Sequence, residues 1–63
     1  MDVLKQSVVV RGKKHTRTCF PRHDGSHGVI YTVTDLNGHS RVLPPHKSRK
    51  IIAEIESAIA RTA

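Results

Sequence analysis

The Pro44-Pro45 pair divides the chain into two stretches of incompatible periodicity, and this division constrains the fold more than any other feature. Proline fixes its own φ and lacks an amide hydrogen, so neither a strand nor a helix runs undisturbed through the pair. Before it, runs of β-branched residues alternate with polar ones. After it, Ile51, Ile52, Ile55, Ala58 and Ile59 recur at the spacing of one helix face. Strands come first and a single helix comes last, opened by Ser48 or His46 and running to about Arg61.

Within the strand half, Gln6 to Arg11 contains Val8, Val9 and Val10, and Gly12-Lys13-Lys14 supplies a turn into His15 to Phe20, which predicts a first hairpin. Pro21 to Gly28 has the composition of a loop. Val29 to Thr34 reads as a strand, and Asn37-Gly38 is a strong hairpin signal that returns the chain through His39 to Leu43. The expected fold class is α+β: an antiparallel sheet of three to four strands (two hairpins), with one C-terminal helix packed on one face. Residues 1–63 form a single small basic domain.

A two-residue turn at Asn37-Gly38 sets Thr34 opposite Arg41, Val33 opposite Val42 and Thr32 opposite Leu43. Val29, Tyr31, Val33 and Val42 then share the face that receives the isoleucine stripe. The other face carries Ile30, Thr32, Thr34, Leu36, His39, Arg41 and Leu43, where hydroxyls and an arginine suit phosphate and base-edge contacts. Ile30, Leu36 and Leu43 on that face also suit packing against a second subunit.

A 63-residue domain buries only about 60% of its unfolded surface, so a partner or second copy is a natural source of added stability. Cys19 is the sole cysteine, which excludes an internal disulfide and suits a reducing cytosol. No apolar run reaches the roughly 18 residues of a membrane span, and no charged-then-apolar leader is present, so a soluble cytoplasmic protein is expected. Eleven Lys and Arg against five Asp and Glu give a net charge of +6, which makes a polyanion the natural partner class.

The charge is concentrated where it costs stability. His46, Lys47, Arg49 and Lys50 precede the isoleucine stripe, and each cation in a helix's first turn costs roughly 0.3 to 1 kcal/mol against the dipole. Free amides and converging cations in one place suit an anion instead. The expected nucleic-acid contacts are therefore Arg41, His46, Lys47, Arg49 and Lys50, extended by Lys13, Lys14 and Arg17 of the first hairpin. Tyr31 and Phe20 are the only aromatics, too few for an extended stacking platform, which favours duplex or structured substrates over free single strands.

Cys19, His23 and His27 carry a thiolate and two imidazoles at C-x3-H-x3-H spacing, an alternative zinc site. Pro21 and Gly25 interrupt the helix that this spacing would need, so no metal or other cofactor is expected.

Gly25-Ser26-His27, a following strand, Asp35 and Gly38 in the turn, Arg41-Val42, Pro44-Pro45 and His46 occur in an order that resembles the HicA-type mRNA interferase toxins. The likeness spans residues 24–59. It implies a fold similar to a double-stranded RNA-binding domain, with His27 as general acid or base in RNA cleavage. The family's helix ahead of Gly-Ser-His is replaced here by a valine-rich strand. The strand, turn and helix layout is also similar to the arm-binding domains of some tyrosine recombinases, and His23, Asn37 and His46 follow the order of an HNH nuclease. The sequence thus leads to a non-catalytic nucleic-acid-binding module. A ribonuclease using His27 remains open, as does a phage-like or accessory inhibitor of an acidic protein surface or an anionic nucleotide.

Overall fold

The computed structural model describes residues 3–62. Four strands, β1 (Leu4–Val10), β2 (Lys13–Pro21), β3 (His27–Thr34) and β4 (Ser40–Val42), form one antiparallel sheet in the order β1-β2-β3-β4. The helix α1 (Arg49–Thr62) follows and packs on one face. This is the expected α+β arrangement, with β2 and β3 also paired as a hairpin where only a loop from Pro21 to Gly28 was expected.

Each hairpin has its own turn chemistry. Arg11 (φ 53°) and Gly12 (φ 77°) alone join β1 to β2, and two positive φ values make this a type I′ turn, whose twist matches the strands beside it. The turn lies one residue earlier than Gly12-Lys13-Lys14. Between β2 and β3, Arg22 donates its amide to the Ser26 carbonyl at 2.8 Å, so only His23, Asp24 and Gly25 are left outside the pairing. Pro21 is tolerated because it is the last residue of β2.

The third hairpin corrects the predicted register. Asp35 donates its amide to the His39 carbonyl at 3.0 Å, and its Oδ1 accepts the amides of Asn37 and His39, both at 2.9 Å. The loop is thus Leu36-Asn37-Gly38, three residues long, with Gly38 alone at positive φ (85°). Asn37 serves as a turn residue without the left-handed conformation that a two-residue turn demands. The extra residue pairs Thr34 with Ser40, Val33 with Arg41 and Thr32 with Val42. A one-residue slip exchanges every side chain between faces. Leu43 is therefore buried beneath the helix, while Val42 is exposed on the open face.

The core is small: Val10, Val33 and Leu43 from the sheet meet Ile55 and Ile59 from the helix, with Val8, Tyr31, Ile51 and Ala58 packed around them. Ile55 is completely buried. His15 occupies the centre of the covered face, and its Nδ1 donates to the Lys13 carbonyl at 3.0 Å, which satisfies one nitrogen of a ring that is only 3% exposed. Below it, Arg17 donates to Gln6 Oε1 at 3.1 Å and lies beside Glu56 of the helix. Leu43 belongs to this core and Leu36 sits at a loop tip, so Ile30, Leu36 and Leu43 do not form the shared subunit-facing patch.

Candidate nucleic-acid interface

The meander gathers part of the chain's basic charge at one end of the molecule. The Arg11-Gly12 turn and the Leu36–Gly38 loop lie at the same end of the sheet, because two strands lie between them, and Arg41 of the short β4 and the start of α1 border concavities shared with Arg11. Arg11, Lys13 and Arg41 ring the mouth of a cavity of about 170 Å³ whose floor includes His15, Val33 and Ile51. Arg11 also borders an adjoining cavity of about 340 Å³, shared with His46, Lys47, Ser48, Arg49 and Lys50. Charges distant in sequence thus converge across two adjacent concavities.

Each described carboxylate has a structural task, and two of them lie beside the basic cluster: Glu54 pairs with Arg11, and Asp35 borders a concavity with Lys13 and Arg41. Asp24 accepts the Ser26 hydroxyl at 2.6 Å and its amide at 3.0 Å; these bonds, the hydroxyl's first, lower its pKa below the ordinary 3.8. Asp35 fixes the third hairpin. Glu56 accepts the Tyr31 hydroxyl at 2.6 Å. No acid occupies the first turn of α1, and among the described residues Lys13, Arg41, Lys47, Arg49 and Lys50 form no ion pair.

Arg17 stands apart from the expected set. It points to the helix side, with its side chain 25% exposed and Nε 3.1 Å from Glu56 Oε2. The contact is electrostatic, since the N–H is aimed off the oxygen and is otherwise unsatisfied. Arg17 is a structural cation. Arg41, predicted for the open face, sits on the helix side of the β4 edge, where it joins the basic end. Arg11 was not anticipated as part of this region; its position emerges only once the turn is seen to fall at Arg11-Gly12.

The open face of the sheet is almost entirely neutral and rich in hydroxyls. Ser7 and Thr16 hydrogen-bond through their hydroxyls at 3.0 Å, as do Thr34 and Ser40 at 2.8 Å, and Thr18 and Thr32 lie in the same shallow concavity. Lys5 and Lys14 supply its charge. Near the far end, the Phe20 ring lies over Gly28, its cross-strand partner.

The metal alternative does not assemble among the described residues, and His27 stands apart from the basic cluster. His27 begins β3 opposite Pro21, at the end of the sheet remote from the basic cluster. From Thr34 to His27 the strand runs roughly 23 Å at about 3.3 Å per residue. A phosphate held at the cluster is therefore beyond the reach of this imidazole. Among the described residues no three His, Cys, Asp or Glu side chains converge to hold a metal, so Cys19, His23 and His27 form no such site. His23 and Asn37 occupy loops at opposite ends of the sheet, which separates the proposed HNH triad. No described helix is long and apolar enough to cross a membrane. No protein-family model, curated protein or solved structure matches this chain.

Proposed function

We propose that this protein binds nucleic acid through the phosphate backbone, using the end of the domain where Arg11, Lys13, Arg41, Lys47, Arg49 and Lys50 converge. The supporting observation is that convergence itself: the fold gathers cations from a turn, two strands and a helix start, and of these Lys13, Arg41, Lys47, Arg49 and Lys50 form no ion pair among the described residues. Phosphate contacts fix orientation and affinity without reading sequence. The hydroxyl-bearing open face, with Lys5 and Lys14, gives a second surface on which a groove can rest. The reading is non-catalytic, because His27 lies at the opposite end of the sheet. A reducing intracellular compartment, with Cys19 as a free thiol, belongs to the same proposal.

Titration of fluorescent duplex DNA, duplex RNA and single strands at two salt concentrations tests it. Binding should weaken steeply with salt, and the combined Lys47→Ala, Arg49→Ala and Lys50→Ala variant should lose affinity for all sequences alike, with a shallower salt dependence. Absence of binding at low salt, or binding unaffected in the triple variant, would overturn the proposal.

A further inference from the structure

The two edges of the sheet are unlike. β4 offers three residues before Pro44-Pro45 ends it, whereas β1 runs seven residues in unbroken register with β2, with no bulge and no proline. A strand at the edge of a sheet is ordinarily protected by such interruptions or by several charges. β1 carries one charge, Lys5.

The two-residue Arg11-Gly12 turn makes Val10 and Lys13 a hydrogen-bonded pair, and antiparallel alternation then directs the backbone groups of Leu4, Gln6, Val8 and Val10 toward β2. Those of Lys5, Ser7 and Val9 point outward, and none has a backbone partner among the described residues. Apolar side chains of this strand are left uncovered as well. Leu4, on the helix side, is 55% exposed, and Val9, on the open face, is 73% exposed. Beside the edge, Val10, Ala53 and Ala58 line part of a cavity of about 380 Å³ between the strand and the helix.

We infer that β1 pairs with β1 of a second copy of this chain, antiparallel about a two-fold axis at Ser7, to form a continuous eight-stranded sheet. Ser7 faces its own counterpart and Lys5 faces Val9 of the second copy, so that all the outward backbone groups exchange hydrogen bonds. The same register covers both exposed apolar residues. Leu4 of the second copy falls opposite Val10, at the cavity, and Val9 lies against the aliphatic stem of the second copy's Lys5. No like charges stand directly opposite each other. Of the registers that keep the outward groups facing, this one alone engages the whole of β1. Shifting it toward Lys5 draws the two lysines together, and shifting it toward Val9 runs each strand into the other's Arg11-Gly12 turn. A single edge pairing belongs with the transient interfaces below about 1,200 Å², so the dimer forms with rising concentration. Nucleic-acid binding plays no part in it.

Sedimentation of the full chain from micromolar to millimolar concentration should show a reversible monomer-dimer equilibrium. Amide hydrogen exchange should slow with concentration at Lys5, Ser7 and Val9, while Gln6, Val8 and Val10 stay protected throughout. Ser7→Pro removes an outward amide that serves no bond within the monomer, so it should abolish the dimer and keep the fold. Val9→Lys places lysines opposite Lys5 of the other copy and should weaken the dimer about tenfold. Adding Lys5→Glu should restore it, although positions 5 and 9 are roughly 13 Å apart along one strand and do not meet within a monomer. A chain still monomeric at millimolar concentration would overturn the pairing. So would a dimer whose Lys5, Ser7 and Val9 amides exchange as fast as the monomer's, or a Val9→Lys defect that Lys5→Glu leaves in place.

Discussion

Tyr31 and Arg17 are cross-strand partners that meet one carboxylate oxygen: Oε2 of Glu56 accepts the tyrosine hydroxyl at 2.6 Å and forms an ion pair with Arg17 Nε at 3.1 Å. The arrangement ties β2 and β3 to the middle of the helix with charge and hydrogen bonding where the small apolar core runs out. Phe at position 31 removes the hydroxyl but leaves Glu56 its arginine, so Tyr31→Phe should cost about 1 kcal/mol. Burial, and then the bond to Glu56, raise the Tyr31 pKa above its ordinary 10.0. The folded state therefore favours the neutral phenol. Its contribution is complete below the unfolded value of 10.0 and is lost as pH rises through the higher folded value. Urea midpoints measured on either side of that value should fall less in Tyr31→Phe than in the parent.

Arg49→Ala separates stability from binding. Removing a cation from the first turn should raise unfolding free energy by about 0.3 to 1 kcal/mol at low salt, and the gain should shrink as salt screens the dipole. Duplex affinity should fall in the same variant. Thermal melts and binding titrations on one preparation make the comparison, and a variant that is both less stable and equally tight contradicts the placement of this charge.

Gly28 is required by its neighbour across the strand. A Cβ there would approach Phe20 Cζ and Cε2 of the ring that now covers the bare backbone. Gly28→Ala should displace the ring and destabilise the sheet by roughly 1 kcal/mol or more. Adding Phe20→Leu should recover part of the loss, so the two effects should be strongly non-additive in a double-mutant cycle read by chemical denaturation.

Asp35→Ala should loosen the third hairpin, because one carboxylate oxygen serves both the Asn37 and His39 amides. A loss of about 1 to 2 kcal/mol is expected. Faster amide hydrogen exchange at Asn37 and His39, but not at Ser26, would locate the effect in this loop.

The strongest periodicities were legible without a structure. Pro44-Pro45 separates the strands from a helix that begins at Arg49, and the isoleucine stripe names its buried side correctly at Ile55 and Ile59. The β3–β4 register was not legible, because Val42 and Leu43 are both apolar and either register buries one of them. The choice is made by the Asp35 carboxylate, whose two amide bonds stretch the loop by a residue. Arg17 was similarly opaque: its alternation with Thr16 and Thr18 places it on a face, but its counter-charge, Glu56, comes from the distant helix. The basic residues of the site could be read one by one. Their convergence, and the inclusion of Arg11, depended on where the turns fell.

Because the sheet is a meander, its strand pairings can form successively through loops of two, three and three residues, each closing at small entropic cost. The helix alone must return over a long stretch of chain: Arg11 meets Glu54 across a sequence separation of 43. Contact order is therefore concentrated in a single docking event between the last element and the first strand, which makes helix docking the step whose rate should respond most to chain connectivity. Lengthening the Pro44 to Ser48 connection should slow that step while leaving hairpin formation unchanged.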